Sequence, residues 1–316
     1  MRIAIATPIA ATRRTGNRAT ATRWAGFLGD LGHEALINPP SSWDADALIA
    51  LHAWRSAEAV AQFRATYPNR PVVVVLTGTD LYHFLESEPE ATLRGLDLAD
   101  RLVGLHDEVA RALPKRFHTK LRVIHQSARG RAARETPDPE VFEVLVVGHL
   151  RPEKDPFRTA RAARHLRRDS RIRVLHLGGA HEPTWAETAR REMQENPRYV
   201  WLGDCPPSRV RRLMARARLM ALSSLMEGGA NVISEAVVSG LPVLASRIDG
   251  SVGLLGPDYP GYFPPSDTNA LARLLARAED EPAFLGRLAA ACAEREPLFH
   301  PERERAKLGE LLAELR

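Results

Sequence analysis

The most informative part of the sequence is residues 223–240, which read Ser-Ser-Leu-Met-Glu-Gly-Gly-Ala-Asn-Val-Ile-Ser-Glu-Ala-Val-Val-Ser-Gly. An apolar strand leads into this stretch, a Gly-Gly loop follows, and the remainder has the spacing of an amphipathic helix. Asn231 can cap that helix, and Gly240 can end it. The loop therefore directs backbone N–H groups and the positive end of a helix dipole toward one point, which favours an anionic group such as a phosphate.

Two glutamates flank this loop. Glu227 precedes the glycines, and Glu235 lies about one turn into the predicted helix. A carboxylate is poorly suited to a phosphate, but it can accept hydrogen bonds from sugar hydroxyls. The combination predicts a nucleotide-sugar site. The alternative is an ordinary strand, loop and helix with two solvated glutamates, because short motifs also match by chance.

Length and composition limit the class of protein. The chain has 316 residues, of which 44% are hydrophobic, so it can form two domains that each have a core. No apolar run approaches the length of a membrane span, and Pro8 interrupts the N-terminus too early for a secretory signal. Cys205 and Cys292 lack a metal-binding spacing, so we expect a reducing, cytoplasmic location.

The net charge of +5 comes from arginine, with 40 arginines and four lysines. These arginines are spread over many predicted helix faces and alternate with Asp and Glu, so we do not expect nucleic-acid binding. A modest positive charge suits an anionic small substrate.

Strand-like and helix-like segments alternate along the chain. We predict strands at residues 2–6, 34–38, 46–51, 71–76, 101–105 and 121–124, with helices at 19–31, 56–67 and 92–99. Residues 128–140 have no apolar period and indicate a linker. We then predict strands at 141–147, 172–177, 199–203, 219–223 and 241–246, and helices at 157–166, 184–196, 208–217, 268–279, 282–294 and 301–316. The pattern predicts two open parallel sheets, which bind ligands beyond the carboxyl ends of their strands.

Several polar residues of the first half follow predicted strands. Gly16 and Asn17 could let a ligand approach the backbone closely, or could form a plain turn. His52 could bind an anion or move protons, and Arg55 could hold a phosphate-like group, although both residue types are also common surface or cap residues. Asp80 could be a base or a hydroxyl acceptor, or could cap the next segment.

Two cations, Arg151 and Lys154, follow the first strand of the second half. A fixed cation there could neutralise a pyrophosphate leaving group, or could belong to a solvated helix start. Arg18 and Lys120 are weaker cationic candidates in the first half. The histidines have no metal-binding spacing, so we expect no protein-bound metal and no cofactor.

The second half resembles the GT-B glycosyltransferases that carry a Glu-x7-Glu signature. The matching segments are residues 147–154, 202–203, 227–235 and 240–246. The resemblance implies that Glu227 contacts the donor sugar, Glu235 binds the ribose hydroxyls, Lys154 contacts the diphosphate and Gly203 brackets the base. It also implies that the donor loop is completed by Gly228, Gly229, Ala230, Asn231 and Val232.

One position departs from that family. Gly-His-Leu stands at residues 148–150 where the family has Gly-Arg-Leu. Either His149 or Arg151 could replace the missing arginine at the diphosphate.

A narrower resemblance covers nearly the whole chain. Residues 15–21, 51–57, 76–82, 149–157, 226–235 and 253–262 look like the selenosugar synthases of selenoneine biosynthesis. Such enzymes join the selenium of selenophosphate to the anomeric carbon of a UDP-sugar, favouring UDP-N-acetylglucosamine, and release UDP and phosphate. We predict catalytic roles for Glu227, Lys154, His52 and Asp80. An anionic acceptor such as selenophosphate would need a positively charged pocket, which fits His52 and Arg55, with Arg18 and Lys120 as weaker candidates.

Together these observations predict an α/β protein of the GT-B fold, with two Rossmann-like domains facing across a cleft. Residues 1–130 would form the acceptor domain and residues 138–300 the UDP-sugar domain, and the helix at 301–316 would cross back onto the first domain. The expected partners are UDP-sugar and selenophosphate. The alternatives are a transferase that acts on an ordinary hydroxyl, with Asp80 or His52 as its base, and a non-catalytic nucleotide-sugar sensor.

Overall fold

The computed structural model describes residues 1–8, 16–39, 44–130 and 135–315. The chain divides into two compact units. The first contains Met1–Ser127, Glu227–Asn231 and His300–Arg316, and the second contains Ala128–Met226 and Val232–Phe299.

The first unit is built on a six-stranded parallel sheet with the strand order β2-β1-β3-β4-β5-β6. Its strands are β1 Arg2–Ala6, β2 Glu34–Ile37, β3 Ala47–Leu51, β4 Val72–Val75, β5 Arg101–Gly104 and β6 Leu121–Val123. Its helices are α1 Gly16–Asp30, α2 Ala57–Thr66, α3 Leu85–Ser87 and α4 Pro89–Leu98, and a π-helical turn at Asp80–Phe84 precedes α3.

Both faces of this sheet are buried, which explains its continuous apolar strands. The side chains of Leu48, Val72 and Val74 pack on one face with residues of α2 and α4. On the other face, Ile49 and Val73 pack with α1 and with leucines from the end of the chain. The alternation follows from the two-residue period of a strand.

The C-terminal helix, Pro301–Ala313, returns to the first unit, where Leu308, Leu311 and Leu312 enter the second of these cores. Its Glu304 is 1% exposed. The Glu304 carboxylate accepts hydrogen bonds from Trp24 Nε1 at 2.7 Å, Arg23 Nε at 2.8 Å and the Ser127 backbone N–H at 2.6 Å. One buried acid therefore joins the last helix to α1 and to the chain that follows β6.

The second unit contains another six-stranded parallel sheet, with the order β12-β11-β10-β7-β8-β9. Its strands are β7 Phe142–Val147, β8 Ile172–Leu177, β9 Tyr199–Trp201, β10 Leu219–Leu222, β11 Val243–Ser246 and β12 Tyr262–Phe263. Its helices are α5 Arg158–Arg164, α6 Pro183–Glu195, α7 Pro207–Arg216, α8 Asn231–Val238, α9 Asp249–Leu255, α10 Thr268–Asp280 and α11 Pro282–Arg295. The C-terminal helix, Pro301–Ala313, is labelled α12.

The predicted fold class is confirmed, because each unit has a parallel sheet covered by helices. The predicted strands and helices are present with shifts of a few residues at their ends. Gly240 has a φ of +62° and ends α8 as expected. Sequence reasoning missed α9, β12 and the helical segment that begins at Asp80. The sequence of α9 contains two glycines, and because glycine is a poor helix former the segment was not predicted to be helical.

Measured by length and hydropathy, the helices that the structure describes include none that could span a lipid bilayer.

The burial of Glu304 allows us to predict how its removal changes the stability of the fold. Replacing Glu304 with alanine should lower the free energy of unfolding by about 3 kcal/mol, because it leaves the Trp24, Arg23 and Ser127 donors without an acceptor. The matched control on the same helix is Glu310→Ala, whose exposed carboxylate bonds Lys307 at 2.5 Å and should matter by less than about 0.5 kcal/mol. Urea unfolding of both variants measures the difference, and equal stabilities would contradict the prediction.

Candidate functional site

The strand order of the second unit places an opening between two of its loops. The order reverses between β7 and β10, so the chains that leave these two neighbouring strands turn to opposite faces of the sheet. In open α/β sheets, ligands bind at such a switch point, beyond the carboxyl ends of the strands. Both the cationic segment after β7 and residues 223–240 leave the sheet here.

Backbone and side-chain hydrogen bonds tie these two loops together. The Ser223 hydroxyl donates to the Asp155 carbonyl at 2.9 Å, and the Leu225 N–H donates to the Glu153 carbonyl at 2.8 Å. The Lys154 side chain passes beside Gly148, since a Cβ at that glycine would lie 3.8 Å from Lys154 Cδ. The loop that carries Lys154 is thus held at the switch point.

The turns after β8 and β9 pack against the loop after β7. Gly178 has a φ of +150°, and a Cβ at this position would lie only 1.9 Å from the Gly148 carbonyl oxygen. No other residue type could keep this contact. The Gly178 N–H donates to the Gly203 carbonyl at 2.8 Å, and its own carbonyl accepts from Trp201 Nε1 at 2.8 Å. Gly203, predicted to bracket a base, therefore belongs to the same cluster of turns.

Two histidines are built into this cluster. His149 Nδ1 accepts from the Gly179 N–H at 3.1 Å. His176 is fully buried on β8, where its Nε2 lies 3.1 Å from the Gly148 carbonyl oxygen and its Nδ1 lies 2.9 Å from the Tyr199 hydroxyl. Burial lowers the pKa of His176 to about 4, so the ring is neutral at physiological pH. The same desolvation raises the pKa of Tyr199 far above its ordinary value.

Arg151 forms an ion pair with Glu153 at 3.0 Å, so its guanidinium has a carboxylate partner within its own loop. Val232 and Glu235 lie on α8 of the second unit, Val232 buried and Glu235 half-buried one turn after Asn231. The second unit therefore holds Lys154, His149, Arg151, Gly203, Val232 and Glu235 among the predicted donor residues.

The segment Glu227–Asn231 belongs to the first unit. Gly228 and Gly78 meet without side chains, because a Cβ on Gly78 would lie 2.4 Å from the Gly228 nitrogen. A Cβ on Gly16 would lie 3.6 Å from Asn231 Nδ2, so two predicted donor residues are brought together.

Glu227 and Ala230 are buried in this segment, at 9% and 4% exposure. The Gln126 amide lies within hydrogen-bond distance of the Thr20 hydroxyl and of the Gly229 carbonyl. Asn17 and Arg18 stand in the first turn of α1.

His52 and Asp80 are structural parts of the carboxyl edge of the first sheet. His52 has a left-handed φ of +78°, is 3% exposed, and bonds Thr79 Oγ1 through Nε2 at 2.9 Å. Its Nδ1 accepts from the Arg55 N–H at 3.2 Å, and burial lowers its pKa, so the ring is neutral. Asp80 is fully buried, and its carboxylate accepts backbone N–H groups from Ala53, Thr77, Gly78 and Leu81. This geometry gives Asp80 the capping role that the sequence left open beside a base role.

A cavity of about 480 Å³ opens next to these residues. Its lining consists of Pro8, Trp54, Arg55, Ala57, Glu58, Ala91 and Arg94. Trp54 stacks on Phe84 with 3.9 Å between the ring centroids, which gives the cavity a rigid wall. Neither Arg55 nor Arg94 forms an ion pair with a carboxylate in the described part of the chain. Sequence reasoning missed Arg94, which only the packing of α4 beside α2 brings near Arg55.

Lys120 is a correction to the sequence-based prediction. It stands before β6, at the amino edge of the sheet, opposite to the edge where ligands bind. Its ammonium group donates to the carbonyl oxygens of Asp97 at 3.1 Å and Ala99 at 2.7 Å. The side chain therefore caps a turn and does not join Arg55.

Among the residues that the structure describes, no cluster of three or more His, Cys, Asp or Glu side chains is arranged to hold a metal ion. Independence from metal stays a prediction.

Two parallel-sheet units with glycine-lined turns at a switch point are the architecture of the GT-B glycosyltransferases. Sucrose-phosphate synthase from Thermosynechococcus elongatus superposes with a TM-score of 0.81 at 17% identity, covering 99% of this chain and 98% of that chain. Anabaena HepE, solved in complex with UDP and glucose, superposes with a TM-score of 0.77 at 17% identity, covering 99% of this chain and 100% of that chain. At this identity the likeness shows the fold.

Sequence comparison identifies the family. Residues 131–296, more than half of the chain, match the glycosyl transferases group 1. The chain belongs to this family and is a glycosyltransferase. Glycosyltransferase 1 domain-containing protein 1 of Xenopus tropicalis is 22% identical over 268 residues, 76% of this chain and 77% of that protein. D-inositol 3-phosphate glycosyltransferase of Corynebacterium glutamicum is 32% identical over 164 residues, 47% of this chain and 38% of that protein.

The buried histidines predict how stability depends on pH. Burial lowers the folded-state pKa of His176 and of His106 to about 4, whereas an unfolded histidine titrates near about 6.5. Between these values the unfolded chain binds more protons, so this contribution to stability is complete above about pH 6.5 and is lost as the pH falls toward 4.

Each ring should contribute a slope approaching about 1.4 kcal/mol per pH unit in that window. Urea unfolding at a series of pH values measures it. His176→Gln, which cannot titrate, should show the shallower slope, and parallel curves for the variant and the wild type would contradict the assignment.

Proposed function

We propose that the second unit of this glycosyltransferase binds a UDP-sugar. The observation that carries the proposal is the cluster of turns at the β7 and β10 switch point, where Lys154 lies beside Gly148 and the Gly203 turn is bonded to Gly178. Close glycine packing leaves backbone accessible to a diphosphate, and a lysine supplies compensating charge. The complex of Anabaena HepE with UDP and glucose supports the choice of nucleotide.

The proposed donor contacts are those that the resemblance assigns. Within the second unit, Glu235 accepts from the ribose hydroxyls and Lys154 contacts the diphosphate. Lys154 assists the departure of UDP, because its charge stabilises the negative charge that develops on the leaving group.

We propose further that the acceptor is selenophosphate and that the sugar is N-acetylglucosamine. The selenium attacks the anomeric carbon while the bond from that carbon to the UDP oxygen breaks, and UDP leaves with the electron pair. Water then cleaves the selenium–phosphorus bond, which releases phosphate and leaves a selenosugar. The resemblance to the selenosugar synthases over most of the chain supports this acceptor.

Two features of the first unit fit an anionic nucleophile. Arg55 and Arg94 line the cavity of about 480 Å³, where they could hold the oxygens of a phosphate group, although Glu58 also lines it and limits the positive potential. The two candidate bases are engaged by backbone groups, with His52 Nδ1 accepting the Arg55 N–H and Asp80 accepting four N–H donors. Selenophosphate is already anionic, so its attack requires no base.

A second candidate acceptor is a phosphorylated polyol that reacts through a hydroxyl group. The similarity to D-inositol 3-phosphate glycosyltransferase of Corynebacterium glutamicum favours it, and the same two arginines would suit its phosphate. This reaction would require a base to deprotonate the hydroxyl. A nucleotide-sugar sensor without turnover is the remaining alternative.

One assay separates these functions. Purified protein is incubated with UDP-N-acetylglucosamine and either selenophosphate, D-inositol 3-phosphate or no acceptor, and the products are identified by mass spectrometry. We expect a selenium-containing sugar together with UDP. An inositol product without a selenium product would overturn the selenophosphate assignment, and donor binding without any product would identify a sensor.

The arginine variants test the acceptor pocket in the same assay. Arg55→Ala and Arg94→Ala should each raise the KM for the acceptor about tenfold, because each removes one charged hydrogen-bond donor. The KM for the donor should stay within about twofold. Arg273→Ala, an exposed arginine on α10, is the matched control and should leave both constants unchanged.

Glu235→Ala tests the donor site separately. We expect UDP affinity to fall by about 1.5–3 kcal/mol, the cost of losing a hydrogen bond to a charged acceptor. Isothermal titration calorimetry with UDP measures the loss, and Glu187→Ala on α6 is the exposed control in the same unit. An unchanged affinity in the Glu235 variant would refute its role at the ribose.

A further inference from the structure

The buried ring of His176 has one tautomer that satisfies both of its partners. The Gly148 carbonyl can only accept, so His176 Nε2 must carry the proton and donate across the 3.1 Å contact. Nδ1 is then an acceptor, and the Tyr199 hydroxyl donates to it across 2.9 Å. Tyr199 is 2% exposed, so this pair is shielded from water and the orientation of the ring is fixed.

The same reasoning fixes the ring of His149, the residue that follows Gly148 in the turn. The Gly179 N–H donates to His149 Nδ1, so a neutral His149 ring carries its proton on Nε2. The two histidines are coupled through backbone, because His176 holds the Gly148 carbonyl and this carbonyl packs against the Gly178 backbone, adjacent to the Gly179 donor.

We propose that His176, oriented by Tyr199, is a positioning residue that holds the turn at residues 148–149 so that His149 presents its Nε2–H to the diphosphate of the donor. This inference rests on the proposed UDP-sugar site of the second unit. It assigns the position left open by the missing arginine to His149, which is held in place by the fully buried His176.

The contacts of Arg151 support this assignment over the alternative. Arg151 already pairs with Glu153 at 3.0 Å, and moving its guanidinium to a diphosphate would leave that carboxylate without its partner. A neutral imidazole offers one directed N–H in place of the forked donors of an arginine. This single N–H must therefore point at the diphosphate. The fixed tautomer of His149 and the fixed turn at residues 148–149 provide that orientation.

The test compares two substitutions of His176 by UDP titration calorimetry. His176→Gln keeps an N–H that can donate to the Gly148 carbonyl, whereas His176→Leu removes it. We expect His176→Leu to weaken UDP binding about tenfold and His176→Gln to stay within about threefold of the wild type. Tyr199→Phe should lie between them, because the ring keeps its donor and loses its orienting partner.

Tyr259→Phe is the matched control for buried hydroxyl loss in the same unit. The Tyr259 hydroxyl donates to the Val243 carbonyl at the amino end of β11, on the edge opposite to the switch point. It should lower stability while leaving UDP affinity unchanged. Equal UDP affinities for His176→Leu and the wild type, or equal losses in His176→Leu and Tyr259→Phe, would overturn the positioning role.

Nitrogen chemical shifts of histidine-labelled protein give a readout that does not depend on ligand. We expect His149 and His176 to show a protonated Nε2 and an unprotonated Nδ1 in the wild type, and His149 to show a mixture of tautomers in His176→Leu. A protonated Nδ1 on His149 in the wild type would overturn the inference. Should the wild type fail to bind UDP while both rings show the expected tautomers, the donor assignment fails and the backbone coupling stands.

Discussion

The parallel pairing of β7 with strands on both sides is the constraint on which the candidate site depends. β8 and β10 flank β7, and all three strands release their chains at one edge of the sheet. Since the order reverses there, the loops after β7 and β10 diverge and leave room between them. Ser223 and Leu225 then bond back to the carbonyls of residues 153–155, so the two loops are tied to each other. Lys154 acquires its position from this sheet geometry.

Close packing at the same edge explains why polar groups can be buried there. Gly178 allows its turn to touch the Gly148 carbonyl, and that carbonyl would be an unsatisfied acceptor without the ring of His176. The ring in turn requires the Tyr199 hydroxyl, since a buried nitrogen without a partner is costly. A glycine, a histidine and a tyrosine from three different turns and strands thus depend on one another, and substitution of one affects the conformation of the others.

Most of the fold could be predicted from the sequence. Apolar runs such as residues 72–75 directly indicate buried strands, and the turn residues after them indicate where the chain reverses. The sequence also predicted the placement of Glu235 and Gly240, where local chemistry determines the helix. It failed where local signals mislead, as in α9 with its two glycines, or where the direction of a strand matters, as at Lys120 before β6. It could not find Arg94 or the His176 hydrogen bonds, because only tertiary packing brings these side chains to their partners.

Charge pairing in the first unit bears on the acceptor. Most arginines with defined partners in this unit bond carboxylates, as Arg23 does with Glu304 and Arg122 does with Glu314. Arg55 and Arg94 line a cavity without such a partner among the described residues, so their charge can act on a ligand that enters it. The adjacent His52 accepts the Arg55 N–H at its Nδ1, and backbone N–H groups occupy the Asp80 carboxylate. Available cations and engaged bases in this pocket agree with the proposed anionic acceptor, whereas the alternative hydroxyl acceptor would require a base from another part of the chain.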